Sequence, residues 1–434
     1  MKIILKITES ISLYWTRFKA YKKELSWVTL GQFLSFSGGV VGIKLLTNTL
    51  GPEGYGELAL GMTIAIVLQQ IFYGPFRQVA FRYYSIYRQK NQLNIFSDAL
   101  KRIGLWSIAI FVLMSLIVGY FIKINISNKW FYLIIFASLF GILDGINGIL
   151  IGLQSAARQR KVVAFFQGLT QWARPLAGVT AVILFSRNGQ TALAGFCVAM
   201  VFIAAYQGRF LGKIGFKSKT DSERSYKDNI YKNFFNYGYP FLIWGIFGAV
   251  QFSSDRWILK YFFSEREVGI YSAMYQIANV PVLIIGGILS QFVTPILFEK
   301  SNIVNKTPLY RLIKQLNFFL IIIMGFLLIG YYFFSLEMLT YITSNKFVIY
   351  HRYLPLILIS LTLFLIAQNL TILGSSLLNV KVYIFPKIVL SLNVLVLGFI
   401  FTYFMGFKGI IISSLIANAI YFLHVMYTNR FVLS

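Results

Sequence analysis

Apolar stretches of roughly twenty residues follow one another from Ser26 to the C-terminus, and polar residues are largely confined to the short segments between them. A helix of about 20 apolar residues crosses the roughly 30 Å hydrocarbon core of a bilayer. The pattern therefore predicts an all-α integral membrane protein with about twelve transmembrane helices. The predicted helices span residues 27–47, 58–81, 103–122, 130–153, 162–185, 190–211, 234–262, 268–297, 312–334, 347–375, 379–404 and 407–429.

A long polar, basic segment divides the predicted helices into two sets of six. We interpret residues 213–233 as a cytoplasmic linker between an N-lobe (26–212) and a C-lobe (234–434). A shift of 213 residues places LGPEGYGELAL over FSEREVGIYSA and aligns Gly56 with Gly269. Because each lobe has an even number of helices, this weak repeat predicts two six-helix bundles related by a pseudo-twofold axis along the membrane normal. Chance similarity between apolar segments is the alternative.

The distribution of charge predicts how the protein sits in the membrane. A formal net charge of +26 would suit nucleic-acid binding. However, 28 Lys and Arg residues, Lys387 among them, fall in segments on one side of the predicted membrane, and seven fall on the other. The positive-inside rule then places both termini in the cytoplasm. We predict that the protein lies in the inner (plasma) membrane. The charge reflects topology, and we expect no nucleic-acid partner.

The first 25 residues precede the first predicted crossing. Apolar residues recur there at three- and four-residue spacing among lysines, as at Ile4, Ile7 and Ile11. This spacing predicts a basic amphipathic helix on the cytoplasmic leaflet. A partly ordered tail is the alternative.

Residues for covalent chemistry are scarce in this chain. One cysteine and two histidines disfavour a metal site. The sequence contains no GxxxxGK[ST] loop, no HExxH helix and no acidic pair in a predicted outer loop. The outer loops are also too short for a polymerising domain. We expect no enzymatic activity and no cofactor.

Seven charged residues are assigned to the membrane interior rather than to the segments on either side, and a charge near mid-membrane costs about 2.5 to 3.5 kcal/mol. Such residues persist mainly where they line water, a substrate or each other. An excess of cations predicts an anionic passenger, such as a diphosphate that arginine binds in a bidentate manner. The candidate substrate-binding cations are Arg174, Arg256, Lys44, Arg77 and Arg352, and the candidate acids for ion pairing or proton coupling are Asp144 and Asp255.

Arg174 is the strongest of these candidates because it is the deepest, twelve residues into its predicted helix. Asp144 lies at a similar depth on the preceding antiparallel helix. A structural Asp144–Arg174 ion pair is therefore the alternative to substrate binding.

The remaining cations lie closer to the ends of their helices. Arg256 and Lys44 nearly coincide under the 213-residue shift, so each lobe has a cation at similar depth below the outer face. Snorkelling to the outer headgroups is the alternative for both. For Arg77 and Arg352, snorkelling is the favoured interpretation.

Two segments resemble a known family. The first helix LGQFLSFSGGVVGIKLLTNT with the following LGPEGYGELALGMTIA, and SSDRWILKYFFSEREVGIYSAMYQIANVP in the second lobe, resemble the polysaccharide-export and O-antigen flippases of the multidrug/oligosaccharidyl-lipid/polysaccharide exporter superfamily. The resemblance implies a V-shaped, MATE-like pair of bundles that alternates access to the two sides of the membrane. Its cationic cavity would carry an undecaprenyl-diphosphate-linked repeat unit outward for surface polysaccharide biosynthesis. The partners implied are this lipid-linked glycan, membrane lipids and polysaccharide polymerase machinery.

Other functions are less well supported by the residues. A cation-coupled multidrug exporter of the same superfamily is the main alternative, but the first helix lacks Asp and Glu. Twelve helices also disfavour the lipid II flippase branch. Asp144 and Asp255 are the only intramembrane acids predicted to take a coupling proton.

Overall fold

The computed structural model describes residues 2–125, 127–210, 225–288, 307–376 and 380–433. In these ranges the chain forms α-helices joined by short turns, one π-helical turn (Gln69–Tyr73) and two 3-10 helices (Asn345–Tyr353 and Val380–Tyr383). The α-helices are α1 (Lys2–Leu68), α2 (Gly74–Gln89), α3 (Leu93–Asn125), α4 (Asn128–Ala156), α5 (Arg160–Leu184), α6 (Gly189–Gly208), α7 (Ser225–Phe262), α8 (Glu265–Ile288), α9 (Thr307–Phe333), α10 (Ser335–Ile342), α11 (Leu354–Ser376), α12 (Ile384–Met405) and α13 (Phe407–Leu433).

The chain turns back on itself inside α1. Gly51 has φ 66° and ψ 179°, and Pro52 follows it. Glycine adopts a positive φ without steric cost, and proline suits the start of the next helical run. The kink therefore divides α1 into two limbs that cross in opposite directions, and the second limb continues through the π-helical turn into α2.

The predicted set of twelve membrane helices is confirmed. Nine segments of the described chain are long and apolar enough to cross a membrane, and the first, Ser26–Gln89, is folded in two at Gly51. The remaining two crossings are α5 and α7, which are long enough but more polar. These two helices carry Arg174 and Arg256, and both line the space between the lobes. We call the side of the bundle where Lys2 lies the terminal side, and the opposite side, where Gly51 lies, the far side.

Helices α1 to α6 pack mainly against each other, as do most of α7 to α13. Helix α8 is the exception, because it packs more extensively against α1 of the other lobe than against its own lobe, and α1 also contacts α7. Helix α7 begins at Ser225, inside the predicted linker 213–233, and residues 211–224 lie outside the described part. Helix α1 runs without a break from Lys2 into the first crossing. The side chains of residues 1–25 lie outside the description, so their amphipathic surface stays a prediction.

Two glycines bring the lobes together on the far side. An ideal Cβ on Gly56 would lie 1.8 Å from the carbonyl oxygen of Glu265, and one on Gly269 would lie 2.0 Å from that of Pro52. The contacts are reciprocal, because the 213-residue shift that aligns the two glycines also relates Pro52 to Glu265. The predicted pseudo-twofold axis thus passes beside a backbone contact that only glycine permits.

Charged side chains continue this contact at the far surface. Lys129 Nζ lies 2.6 Å from Glu57 Oε1 in its own lobe and 3.7 Å from Glu265 Oε1 in the other. Lys260 Nζ lies 2.8 Å from the same Glu265 oxygen. The four charges alternate in sign across the interface, so they favour the pairing of the lobes.

On the terminal side the lobes meet through aromatic residues of α2 and α7. The Tyr83 hydroxyl donates to the Asn233 carbonyl oxygen at 3.2 Å, and the Tyr83 and Phe234 ring centroids are 4.9 Å apart. The Arg82 guanidinium lies 4.9 Å from the centroid of Tyr237. The lobes therefore touch on both sides of the space that separates their centres.

The assignment of Lys387 to the cytoplasmic segments was wrong. This lysine was counted among the loop residues of the cytoplasmic side, but its side chain in α12 is fully buried. Its ammonium donates to Gln251 Oε1 and lies 5.3 to 5.5 Å from the ring centroids of Trp244, Phe252 and Phe364. Cation–π contacts replace the water that a loop lysine would have.

We expect Gly56→Ala to lower the apparent melting temperature of the purified protein. The added methyl group collides with backbone, which cannot move aside as a side chain does, at a cost of about 1–3 kcal/mol. Gly104→Ala is the matched control, because nothing lies within 4 Å of its Cβ position. Melting is measured by size-exclusion chromatography of heated detergent samples, and equal melting of the two variants would contradict the close contact.

We expect Lys387→Met to preserve the stability of the folded protein and Lys387→Glu to abolish it. Methionine fills the aromatic enclosure with favourable sulfur–ring contacts and removes a buried charge. Glutamate places an anion against three ring faces and the Gln251 oxygen. The readout is the yield of monodisperse protein after purification; similar yields for the two variants would show that the side chain is not enclosed as described.

Candidate functional site

A cavity of about 520 Å³ lies between the lobes. It is lined by α1, the π-helical turn, α2, α4 and α5 of the N-lobe and by α8 of the C-lobe. Carboxamide side chains dominate its polar wall. They are Gln32, Gln69, Gln70, Asn147, Gln167, Gln171, Gln276 and Asn279. We call this space the first cavity.

A second cavity of about 290 Å³ adjoins it toward the far side. Six lining residues are common to both cavities, Arg174, Gln171 and Gln276 among them. The second cavity is more apolar, with Leu46 and Met62 in its wall. Together the two cavities form a path along the lobe interface.

The π-helical turn places polar groups at the centre of this path. Gln69, Gln70 and Tyr73 all line the first cavity, and Gln69 Nε2 donates to Asp144 Oδ2 at 2.6 Å. A π-helical turn inserts an extra residue into a helix and is frequent at functional sites. Here it turns two consecutive glutamines toward the same cavity.

Arg174 and Asp144 form the ion pair that the sequence analysis kept as an alternative. Arg174 Nη1 lies 3.4 Å from Asp144 Oδ1, and Nη2 donates to Gln171 Oε1 at 2.8 Å. The guanidinium carbon is 5.7 Å from the ring centroid of Phe140. Both members of the pair are only half-buried, and Arg174 lines both cavities. The pairing is therefore compatible with contact to a ligand.

Among the three arginines of the path, Arg77 forms no hydrogen bond or ion pair with a described residue, and Asp144 interacts with it only at longer range. Its place near a helix end favours snorkelling, but the side chain is exposed and lines the first cavity. Its Cγ would lie 3.1 Å from a Cβ at Gly152, so the aliphatic part rests against α4 where that helix has no side chain. No described residue forms a hydrogen bond or ion pair with the guanidinium. Its donors are free for a ligand.

Arg256 and Asp255 bind each other, although neighbouring helix residues point in different directions. Arg256 Nη1 lies 2.9 Å from Asp255 Oδ1 and donates to the Phe252 carbonyl oxygen at 2.9 Å. The Tyr271 hydroxyl donates to Asp255 Oδ2 at 2.7 Å. The guanidinium carbon lies 4.8 Å from the ring centroid of Tyr275, and the arginine lines the second cavity.

The structure does not bring Lys44 and Arg352 into either cavity. The Lys44 ammonium donates to the carbonyl oxygens of Tyr341 and Thr343, at 3.2 Å for Thr343, and so caps the C-terminal end of α10. A cation there also complements the helix dipole. Arg352 is exposed in the 3-10 helix that precedes α11. Of the five candidate cations, only Arg77, Arg174 and Arg256 lie on the path.

The carboxamide wall was missed by the sequence analysis, although a signal for it exists. Gln167 and Gln171 are four residues apart, and Gln276 and Asn279 are three apart, so each pair shares one face of an apolar helix. In a membrane protein such a polar face points to the interior of the bundle. Among the described residues, no group of three or more His, Cys, Asp or Glu side chains is placed to hold a metal ion.

The fold is shared with solved transporters. The chain is 16% identical to a structure of the lipid II flippase MurJ in an inward closed conformation, with a TM-score of 0.68 over 93% of this chain and 87% of that one. It is 13% identical to a multidrug-resistance MATE family transporter in an outward-facing conformation, with a TM-score of 0.61 over 95% and 96%. It is also 13% identical to the Vibrio cholerae MATE transporter VcmN, with a TM-score of 0.58 over 96% of this chain and 96% of that one.

These likenesses confirm the two-bundle membrane fold, and at such low identity they show no more than the fold. No curated protein sequence matches the chain significantly. The sequence model described as "Polysaccharide biosynthesis protein" matches residues 21–301, which is more than half of the chain. The match covers the N-lobe and the first two helices of the C-lobe, including every residue of the path. The protein therefore belongs to the polysaccharide biosynthesis protein family.

Proposed function

We propose that this protein is a flippase for polyprenyl-diphosphate-linked oligosaccharides and moves complete repeat units of a surface polysaccharide, such as O-antigen, to the outer leaflet. The observation that carries the proposal is Arg77, a cation in a polar cavity between the lobes that forms no hydrogen bond or ion pair with a described residue. A guanidinium in that position requires water or an anion, and a diphosphate supplies both charge and acceptor oxygens.

The rest of the wall suits the glycan. Carboxamides both donate and accept hydrogen bonds, so they match sugar hydroxyls in either sense. The polyprenyl chain needs no protein cavity, because it remains in the lipid while the headgroup passes between the lobes. No covalent step is involved.

The orientation follows from the basic loops. The terminal side faces the cytoplasm of the inner membrane under the positive-inside rule, so the repeat unit enters there and leaves toward the far side. The product would then be available to polysaccharide polymerase machinery. Uptake of a coupling proton by Asp144 or Asp255 stays a prediction.

The fold shared with MATE transporters keeps the multidrug exporter as a second candidate. The described first cavity disfavours it, since two arginines and one aspartate line it. A cationic drug would meet a net positive wall. Resistance to cationic dyes on overexpression, lost in Asp144→Asn, would support the exporter instead.

In a strain that lacks the gene, we expect the complete lipid-linked repeat unit to accumulate on the inner leaflet. Mass spectrometry of extracted polyprenyl lipids identifies the unit, and an impermeant glycan-modifying enzyme reports its leaflet. Normal lipid pools together with normal surface glycan would contradict the proposal.

In the same strain, Arg77→Ala is expected to lower export of the repeat unit about 10- to 100-fold, the effect of losing a charged hydrogen bond. Arg77→Lys should keep part of the activity, because the charge remains while the bidentate geometry is lost. Arg352→Ala is the matched control, since it removes an exposed arginine outside both cavities. Equal export by Arg77→Ala and Arg352→Ala would remove Arg77 from the binding site.

A further inference from the structure

The three arginines of the path lie in order along it. Arg77 rests against Gly152, which is eight residues, or about 12 Å at 1.5 Å per residue, beyond Asp144 toward the terminal end of α4. Arg174 is level with Asp144 and lines both cavities. Arg256 lies six residues from the far end of α7 and lines only the second cavity. An anion that travels from the terminal side to the far side meets them in this sequence.

The acids distributed along the path make these arginines unequal. Arg77 forms no ion pair among the described residues, and Asp144, the partner of Arg174, interacts with it only at longer range. Arg174 has a loose one, with 3.4 Å between the charged atoms and 17% of its side chain exposed. Arg256 has a tight one, at 2.9 Å with 10% exposed, and it also donates to the Phe252 carbonyl oxygen. The donors left for a ligand thus decrease from the terminal side to the far side.

We propose that Asp144 and Asp255 are internal counter-ions that compete with the passenger's phosphates for Arg174 and Arg256. The affinity for the diphosphate then declines along the path and favours release on the far side. This inference rests on the proposed function and assigns roles to two acids that do not themselves bind the lipid-linked passenger.

The two contacts of the Asp144 carboxylate suit this competition. Arg174 holds one of its oxygens at 3.4 Å, and Gln69 donates to the other at 2.6 Å. When a phosphate displaces Asp144 from Arg174, the bond to Gln69 keeps the carboxylate in place and solvated by an amide. The acid can therefore return to Arg174 as soon as the phosphate leaves. A cavity with two unopposed arginines would instead hold the anion and slow its release.

The test is binding of inorganic pyrophosphate and of a short-chain polyprenyl diphosphate to the purified full-length protein in detergent. Asp144→Asn keeps the shape of the side chain and its Gln69 contact but removes the charge. We expect both probes to bind this variant on the order of tenfold more tightly, because one opposing charge a few ångströms from the ligand is gone. Export of the repeat unit in cells is expected to fall at the same time.

Two controls isolate the effect. Glu337→Gln removes a negative charge from the exposed surface of α10 and should leave binding unchanged. The double variant Asp144→Asn/Arg174→Gln should lose the gain, because the competition requires both partners. Asp255→Asn is a second, independent variant and should give a smaller gain, since Arg256 keeps its bond to the Phe252 carbonyl oxygen.

Unchanged or weaker binding by Asp144→Asn, with the wild-type protein binding both probes, would overturn the counter-ion role and leave the flippase proposal standing. Failure of the wild-type protein to bind either probe would overturn both. A gain that persists in the double variant would place the anion away from Arg174 and likewise overturn the inference. If Asp144→Asn does not fold, Asp255→Asn becomes the test, and unchanged probe binding by that variant would overturn the counter-ion inference.

Discussion

A guanidinium inside a membrane must be paired, stacked or hydrated, and the centre of this protein is arranged around three solutions to that requirement. Arg256 is enclosed by an adjacent carboxylate, a backbone carbonyl and an aromatic ring. Arg174 shares a carboxylate and an amide but keeps contact with open space. Arg77 forms no hydrogen bond or ion pair with a described residue, so its guanidinium depends on the open space of the first cavity for hydration. The lobes leave open space at Arg77, while close contacts between them lie on both sides of the cavities and also beside the π-helical turn, where an ideal Cβ on Gly245 would lie 2.0 Å from the Gln70 carbonyl oxygen.

The features that depend on position along a helix could be predicted from the sequence. Runs of about twenty mainly apolar residues predicted all twelve crossings, since length and hydropathy together decide whether a helix can span the bilayer. The repeat aligned Gly56 with Gly269, and these residues face each other because a pseudo-twofold axis brings equivalent positions of two helices together. Equal depth on antiparallel helices likewise indicated the pairing of Asp144 with Arg174.

The features that depend on rotation about a helix axis could not be predicted. Arg77 and Lys387 were both assigned to the cytoplasmic end of a helix, yet Arg77 points into a cavity while Lys387 is enclosed by rings from α7 and α11. Hydropathy fixes depth, but the azimuth of a single cation is set by tertiary neighbours. Lys44 shows the same limit, because its partners belong to α10, about 300 residues later in the chain.

The composition of the first cavity implies different demands on the two parts of the proposed passenger. Its described wall contains two arginines and one aspartate, so a phosphate is favoured by charge wherever it binds. A glycan in this cavity would meet eight carboxamides, and each can rotate to offer either a donor or an acceptor. Recognition of the phosphate is therefore strict, whereas recognition of individual hydroxyls is permissive. Selectivity among sugars must then come from the shape and length of the repeat unit, which the space between two lobes in contact at both ends can limit.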